Sequence, residues 1–336
     1  MCRMPSCSPK AVYVNGDQQD TQSNASDMNA TSILRDKILI TGANGHLGRR
    51  LIRLLTLDRS VVAVVRSPGA AAQLASLAHP NLIVRAVDYT DAAALTEAAS
   101  GCSYAVHLVG IIKAGRANSY AQAHEATTGA LIVAAQSCHL KRIVYLSILG
   151  AQPNSANACL ASKGRAEAML ATCAIPSLVL RLPMVLGEGD YAAQALLRRA
   201  QASVSAVLRG KSKEQPIYAG DVIRAIVGAL ASPQTGFRAF DLAGPQSLSR
   251  VDLTRRAAAL FDNDPRLLDV PLVFGMLAAA FLEQIAVAPP VTRAMLEVLD
   301  HDDDIDPGPA CTALGVALTS LDEMLRKTLL DTQSGE

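Results

Sequence analysis

The sequence predicts an α/β protein with a doubly wound parallel sheet, followed by a smaller and mostly helical C-terminal region. Two observations lead to this prediction. Short apolar runs rich in valine and isoleucine alternate with alanine- and leucine-rich segments of helix length between residues 37 and 181, and this alternation stops after Pro183. Strands that are apolar along their whole length are typical of a parallel sheet covered by helices on both faces.

Composition limits the classes of function. Half of the 336 residues are apolar, which excludes a disordered chain overall. Lys and Arg total 31 against 30 Asp and Glu, a formal charge of +1 that gives no electrostatic case for nucleic acid as a partner. Aromatic residues make up only 4% and tryptophan is absent, which argues against a platform for stacking bases.

The order of the elements follows from the apolar runs. Helices are predicted between them, for example over Leu47–Leu57 and Ala121–Cys138. The six predicted strands are Lys37–Thr41, Val61–Val65, Leu82–Val87, Tyr104–Val109, Arg142–Ser147 and Ser177–Arg181. Residues 1–34 are polar and turn-rich, so we expect a disordered N-terminal extension there.

Beyond Pro183 the pattern predicts helices over Tyr191–Ala202 and Gly220–Ala231 and a strand over Ala239–Leu242. Ser249 is a candidate N-cap for the next helix. The remainder to residue 330 is expected to be largely helical, interrupted by an acidic turn over residues 300–309. For this turn a solvated helix end is favoured over a metal loop.

The seven cysteines form no CxxC pair, which favours reduced thiols in a cytoplasmic protein and gives no metal site. The apolar run Val270–Leu282 is too short to span a bilayer as a helix. A buried or lid helix is the favoured interpretation. The alternative is a surface for a protein partner or for peripheral membrane contact over residues 270–288.

The strongest functional signal is the segment TGANGHLG, which follows the first predicted strand and opens the first helix. Glycines at this spacing allow a sharp turn (Gly42), close approach of a pyrophosphate to backbone amides (Gly45) and tight helix–strand packing (Gly48). This context predicts a Rossmann dinucleotide-binding domain over residues 35–182 and a substrate domain over residues 183–336. The candidate cofactor residues of the turn are Gly42, Ala43, Asn44, Gly45, His46, Leu47 and Gly48.

The end of the second strand favours NADP(H) over NAD(H). Arg66 stands where an acidic residue would bind the ribose hydroxyl groups of NAD(H), and a guanidinium suits a 2′-phosphate. Arg49 and Arg50 could add positive charge. Asp88, after the third strand, is a candidate partner of the adenine, and Val109 and Gly110 would let the cofactor lie against the sheet.

These segments resemble the short-chain dehydrogenase/reductase superfamily, in its extended or atypical branches. The resemblance is closest to bacterial proteins that are similar to the NAD(P)-binding accessory subunit of respiratory complex I, alpha subcomplex subunit 9. Besides TGANGHLG, the resemblance rests on the segments VVRSP (64–68), HLVGII (107–112), YLSILGA (145–151), SKGRAEAML (162–170) and RLPMVLGEGD (181–190). The last of these implies that Pro183 lies on the nicotinamide side.

The resemblance also implies a catalytic triad of serine, tyrosine and lysine. Lys163 matches the lysine and Ser147 the serine, but Cys159 stands four residues before Lys163 where the family has tyrosine. A thiol is a weaker hydrogen-bond donor than a phenol, and the cysteine side chain reaches less far than that of tyrosine. His124 and Tyr191 are candidate substitutes, whereas His107 is expected to be a core histidine.

Two functions follow as hypotheses. The first is an NAD(P)(H)-binding oxidoreductase-like protein with a degenerate triad, and with a small-molecule substrate if it is active. The second is a catalytically silent NADP(H)-binding protein with a structural, assembly or redox-sensing role. A sugar-nucleotide epimerase or dehydratase is a further alternative.

Overall fold

The structure is a computed structural model that describes residues 36–115, 118–285, 291–298 and 301–330. The predicted extension over residues 1–34 lies outside these ranges. The strands are β1 Ile38–Thr41, β2 Val61–Val65, β3 Leu82–Ala86, β4 Tyr104–His107, β5 Arg142–Ile148, β6 Ser177–Leu182, β7 Val185–Leu186, β8 Val204–Leu208, β9 Lys213–Glu214, β10 Ile217–Tyr218, β11 Phe237–Asp241, β12 Leu248–Ser249 and β13 Arg266–Val270.

The helices lie between the strands and at the C-terminal end. They are α1 His46–Leu55, α2 Pro68–Ala75, α3 Ala92–Ala99, α4 Thr127–Ser137, α5 Ala158–Thr172, α6 Tyr191–Gln201, α7 Ala219–Ala231, α8 Arg250–Ala258, α9 Leu272–Ile285, α10 Arg293–Val298, α11 Gly308–Leu314 and α12 Leu321–Leu329. A π-helical segment, Ala121–Ala126, leads into α4, and a short 3₁₀ turn, Ala259–Phe261, follows α8.

Seven parallel strands form the central sheet in the order β11-β6-β5-β4-β1-β2-β3. The predicted doubly wound sheet is therefore confirmed, with all six predicted strands and β11 as a seventh that pairs with β6. The chain reverses its direction of winding between β1 and β4. In such sheets the crevice at the carboxyl ends of these two strands is where a ligand binds.

Both faces of the sheet are buried at its central strands, as the continuous apolar strands predicted, whereas the edge strands β3 and β11 are partly exposed. Ile38 and Ile40 of β1 pack on one side, in a core that includes α1 and α7. Leu39 packs on the other side with residues of α3, α4 and α5. A third core joins α6, α8 and α12 in the C-terminal region.

The C-terminal region contains three two-stranded pairs that the sequence did not predict: β7 with β10, β9 with β12, and β8 with β13. The parallel β8–β13 pair could not be predicted, because its two strands are short and lie about sixty residues apart in the chain. The predicted N-cap is confirmed, since Ser249 Oγ accepts the Asp252 amide at 3.0 Å. In the acidic turn, Asp302 accepts hydrogen bonds from the Ser212 hydroxyl and the Lys213 amide.

Within the described ranges, no three or more His, Cys, Asp or Glu side chains are placed to hold a metal ion. Every cysteine among the same residues is a free thiol; Cys2 and Cys7 lie outside them. None of the described helices is long and apolar enough to cross a membrane.

Candidate nucleotide-binding and active site

The glycine turn between β1 and α1 needs glycine at two positions for different steric reasons. Gly42 has φ +72°, and a Cβ there would lie 3.0 Å from the Leu108 carbonyl carbon after β4. A Cβ on Gly48 would lie 2.5 Å from the Ala43 carbonyl oxygen, so only glycine lets α1 pack this closely on the turn. Gly45 is the N-cap of α1 and has no side chain to bond the first-turn amides, which leaves them for ligand oxygen atoms.

A groove of about 460 Å³ opens above this turn. It lies at the carboxyl ends of β1, β2, β3 and β4, where the reversal of the sheet predicts a ligand. Seven predicted cofactor residues line it: Gly42, Asn44, Gly45, Arg66, Asp88, Val109 and Gly110. A group with an extended diphosphate linker therefore fits the glycine turn, with room on both sides.

The other residues of the predicted turn do not line the groove. Ala43 is buried, Gly48 packs against it, and Leu47 packs on the core. His46 points away, with Nδ1 2.8 Å from Asp190. Pro183 lies half-buried between β6 and β7.

Tyr89 is a functional candidate that sequence analysis missed. Its hydroxyl accepts the Gly42 amide at 3.2 Å and donates to the Val64 carbonyl at 3.2 Å, so it fixes the turn to the end of β2. Burial raises the pKa of this phenol, which stays protonated. The only indication in the sequence was its position beside Asp88 at the end of a strand.

One end of the groove suits a phosphate on the adenosine. Arg66 is exposed at the end of β2, and Ser67 begins α2 by accepting the Ala70 amide at 3.3 Å. A guanidinium and a helix N-terminus both attract anions. Asp88 is held by the Thr90 amide and hydroxyl at 2.9 and 2.8 Å, and these bonds lower its pKa.

The predicted contribution of Arg50 to this charge is wrong. Its guanidinium donates to Asp190 Oδ1 at 3.0 Å and to the Glu188 carboxylate at 3.0 Å, in the loop after β7. Arg49 donates to the Asn44 carbonyl. Among the candidate arginines only Arg66 lines the groove.

Lys163 is buried directly behind Gly110 and is not itself part of the groove lining. Its ammonium donates to the Leu146 carbonyl at 2.8 Å and lies 4.5 Å from the centre of the Tyr145 ring. A Cβ on Gly110 would be 2.9 Å from Lys163 Nζ, so glycine there brings the backbone of the groove onto the ammonium. Burial lowers the pKa of Lys163 to about 8.

Cys159 is covered, with 2% of its surface exposed. Its thiol donates to the Ile111 carbonyl at 3.6 Å and packs with Tyr120 and Val298. Burial raises the pKa of the thiol, and the nearby Lys163 opposes this effect less strongly. The thiol is therefore protonated at neutral pH, and it is not part of the groove lining.

Ser147 is bound within the protein. Its hydroxyl donates to Glu167 at 2.5 Å, and Glu167 is paired with Arg181 at 2.6 Å. The structure thus brings Ser147, Cys159 and Lys163 to neighbouring elements, β5 and α5. Of these three candidates, Lys163 is the one in contact with the groove wall.

The two histidines are both neutral at physiological pH, because burial lowers the pKa of each to about 3. His107 bridges the Thr41 and Thr127 hydroxyls at 2.6 and 3.3 Å, as expected of a core histidine. His124 Nε2 lies 3.1 Å from the backbone N and O of Ile111, behind Gly110. Tyr191 is 72% exposed and is not part of the groove lining.

Comparison with known proteins agrees with this geometry. Residues 42–190 match a family model described as NAD(P)H-binding. The chain is 28% identical over 246 residues to ceramide reductase of Caulobacter vibrioides, covering 70% of this chain and 74% of that protein. It is 23% identical over 250 residues to the mitochondrial NADH dehydrogenase [ubiquinone] 1 alpha subcomplex subunit 9 of Arabidopsis thaliana, covering 72% of this chain and 62% of that protein.

Solved structures share the fold. The Bordetella bronchiseptica enzyme WbmG in complex with NAD superposes with a TM-score of 0.69 at 16% identity, over 90% of this chain and 95% of that chain. A UDP-N-acetylglucosamine 4-epimerase from Methanobrevibacter ruminantium gives the same TM-score and identity, over 90% of this chain and 99% of that chain. The predicted resemblance to the short-chain dehydrogenase/reductase superfamily and its complex I-related branch is confirmed. Residues 42–190 of this chain, which match the NAD(P)H-binding family model, contain the glycine turn and the whole lining of the groove.

Proposed function

We propose that the protein is an NADP(H)-dependent oxidoreductase of the atypical short-chain dehydrogenase/reductase type, with its chemistry beside Lys163. The observation that carries the proposal is the position of the Lys163 ammonium directly behind Gly110, a residue of the groove wall. The similarity to a protein named ceramide reductase supports a reductase and makes lipids with a carbonyl group the first substrate class to test.

Each end of the groove has a proposed role in binding. The first-turn amides of α1 hold the pyrophosphate, Arg66 pairs with the 2′-phosphate, and Asp88 accepts a hydrogen bond from the adenine. Lys163 donates to the ribose next to the nicotinamide. When bound, the nicotinamide supplies or accepts the hydride.

The proton must come from a group other than Cys159. That thiol is covered and hydrogen-bonded to Ile111, and burial raises its pKa. Lys163, with a pKa of about 8, carries a proton at neutral pH and can release it to a substrate oxygen. Both groups are buried, but Lys163 lies directly behind Gly110 of the groove wall and has the lower pKa, so we assign the proton transfer to Lys163 Nζ rather than to residue 159.

The burial of Cys159 also favours a second candidate, a protein that binds NADP(H) without turnover. Two measurements distinguish the active oxidoreductase from the silent protein. Calorimetry measures the binding of NADPH and NADH. An assay of NADPH oxidation with long-chain carbonyl lipids and with sugar nucleotides then measures turnover. NADPH binding without oxidation on either panel would support the silent protein. Failure to bind either dinucleotide would contradict both.

Replacing Arg66 by aspartate is expected to weaken NADPH binding at least about tenfold more than NADH binding, because only NADPH carries the 2′-phosphate. Calorimetric titration of both dinucleotides measures the difference. Arg53→Asp is the matched control, since Arg53 is exposed on α1 and is not part of the groove lining. Equal losses of NADPH and NADH affinity in Arg66→Asp would contradict the assignment.

Replacing Cys159 by serine is expected to change kcat by less than about threefold, because the thiol is not the proton donor in this proposal. Serine keeps a donor for the Ile111 carbonyl and is close to cysteine in size. Steady-state rates of the two proteins provide the measurement. A loss of about a hundredfold in kcat, with the melting temperature unchanged, would make Cys159 the acid instead.

A further inference from the structure

Helix α9 presents an apolar stripe to solvent. Val273, Phe274, Leu277, Phe281 and Ile285 are each between 57% and 64% exposed. They recur at helical spacing on one side of this 14-residue helix. We call this set the α9 stripe. Large apolar side chains that share one face in this way mark an interaction surface rather than scattered exposure.

The opposite side of α9 fixes its orientation. Ala279 is buried, and a Cβ on Gly275 would lie 2.8 Å from Leu208 of β8 and 3.3 Å from Leu296 of α10. Glu283 is the one charged residue of α9. Its carboxylate accepts hydrogen bonds from the Arg293 amide at 2.7 Å and from the Arg293 guanidinium at 2.9 Å. The stripe is therefore held outward by packing on its other side and carries no charge of its own.

We propose that the α9 stripe docks the protein on the surface of a lipid bilayer, with the helix axis in the plane of the interface. This goes beyond the proposed function and does not depend on it. At 14 residues α9 is far too short to span a bilayer. An apolar helix face of this kind is the feature by which proteins lie in the boundary between headgroups and acyl chains.

Area argues against a second protein as the occupant. A helix of this length is about 21 Å long and about 10–12 Å across, so the outward half of its curved surface offers about 330–400 Å². A stable protein interface needs about 800 Å² on each partner. The five side chains also have no hydrogen-bonding atom, whereas protein interfaces carry polar contacts among their apolar anchors. Hydrocarbon chains require none.

The surface next to the start of α9 has no net formal charge. A hollow beside Pro271 is lined by two cationic side chains, Arg209 and Lys211, and by two anionic ones, Asp269 and Asp302. Their formal charges cancel, so the hollow does not select an anionic membrane. Apolar burial by the stripe, rather than net charge, is then the source of affinity.

The inward side of α9 is connected through α10 to the helix that carries Lys163. The next helix, α10, contacts α9 and packs on α5. Asn157 Nδ2 donates to the Ala294 carbonyl of α10 at 3.0 Å, and Val298 covers Cys159. The element that covers Cys159 is thus the neighbour of the helix that we place on the membrane.

Flotation of the purified full chain with phosphatidylcholine vesicles tests this proposal. We expect the protein to float with the vesicles equally well at 0.1 and 0.5 M NaCl. The double variant Phe274→Ser/Phe281→Ser should reduce the bound fraction at least about tenfold, since two large apolar side chains are lost from the interface. Its NADPH affinity should be unchanged, which shows that the variant is folded.

The control is Leu57→Ser, which removes a 74% exposed leucine from the dinucleotide domain and should leave flotation unchanged. Three results would overturn the proposal. The first is that the unmodified protein stays below the vesicles. The second is that it binds only anionic vesicles and is released by salt. The third is that light scattering finds a dimer that Phe274→Ser/Phe281→Ser dissociates, which would make a second copy the occupant.

Discussion

Replacing Gly48 by alanine is expected to weaken NADPH binding at least about a hundredfold and to destabilise the fold by about 1–3 kcal/mol. The added methyl group would lie 2.5 Å from the Ala43 carbonyl oxygen and 2.7 Å from its carbon. Both are backbone atoms of the turn, so no side chain can rotate away to make room. α1 must move outward, and its first-turn amides move with it.

Calorimetric titration with NADPH and thermal unfolding measure the two effects of Gly48→Ala. The matched control is Gly69→Ala near the start of α2, where a Cβ would meet no atom within 4 Å. That variant should bind NADPH normally and should be at least as stable as the unmodified protein, since alanine favours a helix over glycine. Normal NADPH affinity in Gly48→Ala would refute the role of the turn.

Local patterns were sufficient to predict the sheet and the turn. Strands β1 to β6 of the central sheet are apolar at most positions, and this property is visible in a window of five residues. The spacing of Gly42, Gly45 and Gly48 is equally local, because all three glycines are required by the geometry of the same βα turn. Arg66 follows β2 directly, so its place at the groove could also be predicted.

Contacts between distant segments could not be predicted in this way. Tyr89 bonds Gly42 across 47 residues, and nothing in the local sequence distinguishes this tyrosine from a core aromatic. The hydroxyl of Ser147 bonds Glu167 instead of facing the groove because Arg181, on the neighbouring strand β6, fixes that carboxylate. The burial of Cys159 depends on Val298 of α10, far along the chain.

Replacing Lys163 by methionine is expected to abolish turnover and to change how stability depends on pH. The pKa of Lys163 is about 8 in the folded protein, against an ordinary value of 10.5. Below pH 8 the lysine is charged in both states, and the folded protein bears the full cost of burying the charge. Between pH 8 and 10.5 the folded protein releases the proton while the unfolded chain keeps it.

The unfolded chain therefore binds more protons in this window, and the free energy of unfolding rises with pH. A shift of this size corresponds to a rise of about 3 kcal/mol by pH 10.5. Methionine keeps a long apolar side chain and does not titrate, so the rise should be missing from Lys163→Met. Urea unfolding of both proteins at pH 7, 9 and 10.5 measures the difference, and the titration of all other groups cancels between them.

Lys141→Met is the control, because Lys141 is exposed and paired with Asp36 at the surface. Its stability profile should follow that of the unmodified protein between pH 8 and 10.5. If Lys163→Met and Lys141→Met had the same profile, Lys163 would not be a buried ammonium. If Lys163→Met instead lost the rise yet kept turnover, the lysine would be buried as described but the proton would come from another group. The two readouts thus test the electrostatics of Lys163 and its assigned role separately.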